Sequence, residues 1–543
     1  MGSMKSNHHP LHSGILPFML LIFFIFCFQS LFCARADSTY DNFANCLTKN
    51  GVPNNQIPQI LYTPSNASFT SVLNSYVRNL RFNTSTSRKP SIIVTPFQVQ
   101  QVQATIKCSK GTGLQLKIRS GGHDFEGISY VSNTPFIILD MFNFSNISID
   151  IPSQTAWVQS GATLGEFYYS IWRKSNVFGF PAGVCPTVGV GGHISGGGYG
   201  PMLRKYGLTV DNVVDAQIID VNGNILDIKG MGEDLFWAIR GGGGASFGVV
   251  LSYKVNLVQV PSTVTVFNVQ RTEARNAADI LVKWQNVAAS IDNNLFIRVI
   301  IQPVPIIGTR KMTIQATFLA LYLGDSVSLM NLMNSQFPEL GLKQSDCLQM
   351  SWIQSIVYWA NTKNSGSRPD VLLRRTTDSV SFGKKKSDYV LTPIPKAALT
   401  FIFNKMIQLG KVGMEFNPYG GRMSQIAESD APFPHRRGII YKIQYSISWG
   451  RNNPELTNQY LGQARELYSF MTPYVSSNPR RAFLNYRDLD IGITSNGING
   501  YSEGKVYGLK YFVGNFDRLV KVKTAVDPQN FFRNEQSIPI LPS

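Results

Sequence analysis

Histidine and charge are both scarce in this chain of 543 residues. Charged residues make up 15% of it, and only six histidines occur. Three of those, His123, His193 and His435, lie beyond the first 36 residues. No His/Cys/carboxylate set falls at metal-ligand spacing, so no metal centre is expected. Internal repeats and low-complexity stretches are lacking, which excludes a repeat array and a disordered chain. Beyond the N-terminus no run is apolar enough to span a membrane. Acid is in short supply too: 33 Asp and Glu face 50 Lys and Arg, for a net charge of +17. With 43% apolar residues, a packed globular protein of more than one domain is expected.

The N-terminus reads as a secretory signal. Lys5 precedes an apolar run over 15–28, and Ala34-Arg35-Ala36 supplies the cleavage site, so 1–36 is set apart from the fold. Pro17 and the shortness of the run argue against a membrane anchor. An exported chain, in the extracellular space and cell wall or alternatively the vacuole, is the expectation. Removing Lys5 and Arg35 leaves a net +15. The basic residues are scattered apart from Lys384-Lys385-Lys386, and no aromatic platform is interleaved with them. Nucleic acid is therefore a poor partner. A solvated basic surface is the plain expectation, and retention on anionic cell-wall polysaccharide a secondary one.

Export changes how the cysteines read. Cys27 and Cys33 leave with the signal, and Cys46 and Cys108 are expected to form a structural disulfide. Cys185 then stays available for chemistry, and Cys347 is left over and buried. Sequons at Asn66, Asn83, Asn143 and Asn146 fit a glycosylated exported protein.

From Pro90 strands and helices alternate: strands at 91–94, 115–119, 136–140 and 155–159, a helix opened by Pro96, and another over 164–174. This is an α+β domain over 37–260. After Pro261 the texture changes to long alternating strands, 295–304, 312–323 and 438–449, with amphipathic helices from Ala277 and over 396–409. A second domain, an antiparallel sheet backed by helices, is expected over 261–475. The segment 476–543, with a helix over 518–525, is expected to return to the first domain.

Two glycine-dense segments carry nucleophiles. Arg119-Ser120-Gly121-Gly122-His123 closes a strand. Cys185-Pro-Thr-Val188-Gly189-Val-Gly191-Gly192-His193 runs on to Gly198-Tyr199. Without a Cβ the backbone in such turns can approach a phosphate or a ring system. The second segment lacks the strand–helix–acid order of a dinucleotide fingerprint, which leaves a backbone-amide nest as the plausible device.

With Asp234-Leu-Phe-Trp-Ala-Ile-Arg240 and its following glycines, Leu484-Asn485-Tyr486-Arg-Asp488, and the ending from Val526, these motifs resemble the plant berberine-bridge-enzyme-like flavoproteins of the vanillyl-alcohol-oxidase fold. The resemblance runs from about Asn42 to Pro542. It implies a discontinuous FAD-binding domain of the PCMH type and bicovalent FAD. His123 would be bonded to the 8α-methyl carbon and Cys185 to C6. It also implies a cofactor lining of Arg119, Ser120, Gly121, Gly122, Val188, Gly189, Gly191, Gly192, His193, Gly198, Gly248 and Asn485, in a monomer.

Alternation in 438–449 puts Ile439, Tyr441, Ile443, Tyr445, Ile447 and Trp449 on one face. Ile440, Lys442, Gln444, Ser446 and Ser448 share the other, which would line a substrate cleft. Relatives that oxidise aromatic allylic alcohols carry this Lys and Gln, with tyrosines where Tyr199 and Tyr486 stand. The resemblance thus implies a tyrosine base aided by Lys442, with Gln444 positioning a small-molecule substrate. Phe125 departs from the tyrosine of several such relatives. The absence of a glutamate at 442 or 444 argues against berberine-type bridging. Val188 resembles the oxygen-permitting choice, implying dioxygen as acceptor and hydrogen peroxide as product. A carbohydrate oxidase, an oxidative cyclase or a redox-neutral Diels–Alder-type cyclase on the same scaffold remain alternatives.

Overall fold

The structure is a computed structural model that describes residues 2, 39–360, 366–376, 380–495 and 500–542. Apart from Gly2, the segment 1–36 expected to be a signal, with Cys27 and Cys33, lies outside the described residues. No helix among the described residues is long and apolar enough to cross a membrane.

The first unit contains a small sheet in the order Leu61–Tyr62, Ile92–Val94, Phe136–Asp140, Gln115–Arg119. Its last three strands are parallel. Phe136-Ile137-Ile138-Leu139 is buried throughout, as a strand covered on both faces must be. The neighbouring helix spans Val99–Lys110 and starts three residues beyond Pro96, because Gln101 Oε1 accepts from the amides of Phe97 and Gln98. That contact satisfies donors a helix start leaves open. The disulfide Cys46–Cys108 ties the N-terminal helix to the end of this one. Cys347 is half-exposed, not buried as expected, with its Sγ 3.9 Å from Met330 Sδ.

A second, antiparallel sheet follows in the order Ile147–Asp150, Thr155–Gln159, Val249–Asn256, Val213–Ile219, Ile225–Leu226. The C-terminal helices Tyr501–Phe512 and Phe516–Val526 bury Tyr507, Phe512, Phe516 and Leu519 in the same core cluster as this sheet. Lys523 fastens them. Its fully buried ammonium donates to the Ser246 and Phe532 carbonyls, both at 2.7 Å, and to Asp527 Oδ2 at 2.5 Å.

The third sheet is antiparallel, with seven strands in the order Leu348–Met350, Val264–Thr272, Met312–Tyr322, Leu295–Pro305, Gly413–Pro418, Tyr441–Trp449, Phe382–Val390. Tyr441, Ile443, Tyr445, Ile447 and Trp449 all face the helices Ala277–Val287, Lys396–Leu409 and Pro454–Phe470, in one cluster with Trp284, Phe403 and Leu467. Burying each such side chain contributes roughly 1.5–3 kcal/mol. The strand begins at Tyr441, three residues later than the alternation suggests. Ile439 packs into the other cluster and Ile440 against this one, so the alternation breaks before Tyr441.

Cross-strand register builds the opposite face. Glu415 pairs with both Ile300 and Gln444, and Gln444 with Ser387, which makes one row. Two residues along each strand lies the row of Arg298, Asn417, Lys442 and Tyr389. Pairs opposite one another point to the same side, so these residues form a polar grid turned toward the first unit.

Candidate active site

Between that grid and the two glycine-rich segments lies a cleft of about 430 Å³. His123 and Cys185 line it together, with Ser120, Gly121, Gly122, Val188, Gly189, Gly191, Gly192, His193, Tyr199, Gly248, Gln444, Asn485 and Tyr486. The two segments are pressed against each other. A Cβ on Gly121 would lie 2.3 Å from Gly189 N, and one on Gly189 only 2.1 Å from Ser120 Oγ. No other residue permits that approach. Ser120 Oγ donates to the Ser160 carbonyl at 2.6 Å, and His123 Nε2 is 2.9 Å from Thr187 Oγ1. Burial, reinforced by Arg78 and Lys385, holds the His123 imidazole down at about 3, so it is neutral. The Cys185 thiol opens onto the cleft yet lies deep in the molecule. Burial pushes it up while Lys385 and Arg298 pull the other way.

Three expected residues stand elsewhere. Arg119 is fully buried and does not line the cleft. Its guanidinium bonds to Asp140 Oδ2 at 2.6 and 3.0 Å and to the Leu73 and Val72 carbonyls, so it fixes the strand end that presents the His123 turn. Gly198 sits behind the wall, its amide donating to Asn485 Oδ1 at 3.0 Å. Asn485 also donates to the Gly192 carbonyl, tying the C-terminal segment to the second glycine-rich segment. Lys442 lies one layer back, fully buried, with Nζ 3.8, 3.9 and 4.0 Å from the ring centroids of Tyr199, Phe483 and Tyr486. Its Nζ has no hydrogen-bond partner among the described residues, and burial, then Arg298, pushes its pKa far down. His193 is buried and accepts at Nε2 from the Gly183 amide.

The tyrosines differ. Tyr199 Oη donates to the Pro418 carbonyl at 2.9 Å, whereas Tyr486 is half-buried beside Phe125 and opens onto the cleft. Burial pushes both phenols up, and Arg298 opposes it in each.

Arg298, Glu415 and Lys385 also line the cleft and went unforeseen. Arg298 Nε bonds to Asn417 Oδ1 at 2.6 Å, and Lys385 lies over the Phe125 ring at 4.2 Å. Arg298 carried a signal, a charge on the cleft-side alternation of a strand whose Ile297, Val299 and Ile301 face the helices. The Lys384-Lys385-Lys386 run is not a solvated patch. The pleat sends Lys384 and Lys386 the other way, into buried ion pairs with Asp488, and Lys384 reaches Glu126 as well.

Comparison with known proteins matches residues 90–229 to the FAD binding domain model and 482–539 to the berberine and berberine-like model. Berberine bridge enzyme-like 21 of Arabidopsis thaliana is 56% identical over 532 residues, covering 96% of this chain and 98% of that protein. The chain belongs to the berberine bridge enzyme-like family of FAD-dependent oxidoreductases. Among solved structures, the grass pollen allergen Phl p 4, with glucose dehydrogenase activity, is 44% identical with a TM-score of 0.87. It covers 92% of this chain and 100% of its own. A berberine bridge enzyme variant, a reticuline dehydrogenase, is 38% identical with a TM-score of 0.86, covering 92% and 99%.

The cleft fits an FAD. The amides of Gly121, Gly122 and His123 find no acceptor among the described residues, and Ser129 Oγ and Ser160 Oγ are buried on the lining without a partner. Unpaired donors at a strand-end turn suit a diphosphate.

Proposed function

We propose that this oxidoreductase is a secreted oxidase that holds FAD by two covalent bonds, through His123 and Cys185, and oxidises a small phenolic or allylic alcohol with release of hydrogen peroxide. The observation carrying this is that His123, Cys185, Gln444 and Tyr486 line one cleft. When bound, FAD supplies the two-electron acceptor and the route to dioxygen. The chain's own part is to bind the alcohol between Phe125, Tyr486 and Gln444 and to draw on its hydroxyl proton. Tyr486 has the free hydroxyl for this contact, since that of Tyr199 is engaged with Pro418. Lys442 lies beneath the Tyr486 ring, where taking up a proton as the phenol ionises would favour the negative charge.

An oxidase is supported by Val188. In Phl p 4 the wild type is a glucose dehydrogenase, a variant with Ile→Val alone is a glucose oxidase, and a variant with Asn→His alone, five positions on, where His193 stands relative to Val188, remains a glucose dehydrogenase. Export is supported by the Cys46–Cys108 disulfide. Of the sequons, Asn146 is exposed, whereas Asn143 Nδ2 already donates to the Thr95 carbonyl.

A sugar-oxidising role is favoured by the polar grid of Arg298, Glu415 and Gln444 on the cleft wall. Anaerobic flavin bleaching by cinnamyl alcohol and by glucose separates the two. Bleaching by glucose alone would remove the phenolic alcohol. The Tyr486→Phe protein is expected to bleach at least about 100-fold more slowly. An unchanged rate would remove Tyr486 from the reaction.

A further inference from the structure

The proton that leaves the substrate hydroxyl needs an acceptor, and neither tyrosine is a ready one. A phenol that takes up a proton must first give one away, and burial pushes both phenols further from doing so. Lys442 Nζ lies over ring faces and does not line the cleft. Two carboxylates do line it, Asp124 and Glu415. Asp124 is committed: Oδ2 accepts from Arg487 Nε at 2.8 Å and Oδ1 from the Glu126 amide at 2.9 Å. Glu415 is not. Its nearest cation, Arg298 Nη1, is 3.8 Å away, beyond hydrogen-bond range, and no group among the described residues donates to its carboxylate. It stands on the strand next to Gln444 and directly opposite it in register.

We propose that Glu415 is a further catalytic residue: it shares the reacting hydroxyl with Tyr486 and ends the step carrying that hydroxyl's proton. Carboxylates are anions at neutral pH without prior ionisation. One O–H bond breaks on the substrate and one forms on Glu415. The hydrogen of the neighbouring C–H bond would leave with its electron pair as hydride, for which a bound FAD would be the acceptor, as the carbonyl forms. Dioxygen would then take up the two electrons and the proton of that hydride and, with the second proton returned by Glu415, become hydrogen peroxide. Arg298, Lys442, Tyr486 and Cys185 are the titratable groups coupled to Glu415 across the cleft. The proposal rests on alcohol oxidation in this cleft.

The test is anaerobic stopped-flow bleaching of the flavinylated protein by cinnamyl alcohol or glucose, whichever reduces the wild type, across pH. The Glu415→Gln protein is expected to bleach at least about 100-fold more slowly, and to lack the fall in rate on acidification that the proposal predicts for the wild type. Glu415→Asp should recover part of the rate. Flavin content and melting temperature should stay within error of the wild type, since the side chain makes no short contact. A Glu415→Gln rate within threefold of the wild type, with its acid limb intact, overturns the proposal. If Tyr486→Phe is slow in that case, the alcohol-oxidase reading stands without it. If neither alcohol bleaches the wild type, both fall.

Discussion

Replacing Lys442 by methionine should stabilise the protein while slowing it. The lysine is fully buried, its Nζ lacks a hydrogen-bond partner among the described residues, and three ring faces surround it at 3.8–4.0 Å. Burying such a polar group unpaired costs roughly 2–7 kcal/mol. Each N–H contact with a ring face offsets about 0.5–1 kcal/mol. Taking mid-range values, three rings leave a net penalty of about 2 kcal/mol. Methionine has similar length and no N–H to leave unpaired, so Lys442→Met should recover that amount and raise the melting temperature by about 2 °C. Flavin bleaching by substrate should fall at least about tenfold, because the Tyr486 phenol loses the amine beneath its ring. Melting followed by intrinsic fluorescence, paired with stopped-flow bleaching, reads both. A Lys442→Met protein that melts below the wild type would refute the reasoning, since the lysine would then be a net stabiliser.

Lys523→Met should do the opposite. It leaves the buried Asp527 carboxylate uncompensated and the Ser246 and Phe532 carbonyls without their donor, and should cost about 3–5 kcal/mol in denaturant unfolding. A loss below about 1 kcal/mol would contradict that. Burial also holds His435 far below 6.5. With the folded value depressed, the unfolded chain binds more protons below pH 6.5, so this residue's share of stability is present above that pH and lost as pH falls. His435→Gln should therefore lose less stability between pH 7 and pH 5 than the wild type, by up to about 1.4 kcal/mol per pH unit. Parallel denaturation midpoints would contradict it.

Much of the architecture was legible because local pattern and tertiary demand agree. The alternation in Tyr441–Trp449 separates a face for the helices from a face for the cleft, and the glycines mark the close approach of the two segments that carry His123 and Cys185. The misses share one cause: a single sequence does not say which strands are neighbours or in what register. Glu415 looks like any strand carboxylate until pairing puts it opposite Gln444. The lysine run at 384–386 looks like a charge patch until the pleat sends Lys385 to the cleft and its neighbours to Asp488. Arg119 was read with the cofactor from its place in the motif, yet Asp140, on the adjacent parallel strand, claims its guanidinium.

The central claim is that His123 and Cys185 hold one FAD between them. It is tested most directly by denaturing the purified wild type, His123→Ala, Cys185→Ala and double-variant proteins in acid and measuring intact mass and flavin absorbance on the polypeptide. The account predicts that the wild type and both single variants keep the flavin, and that only the double variant releases it. Release from the denatured wild type, or retention by the double variant, would contradict it.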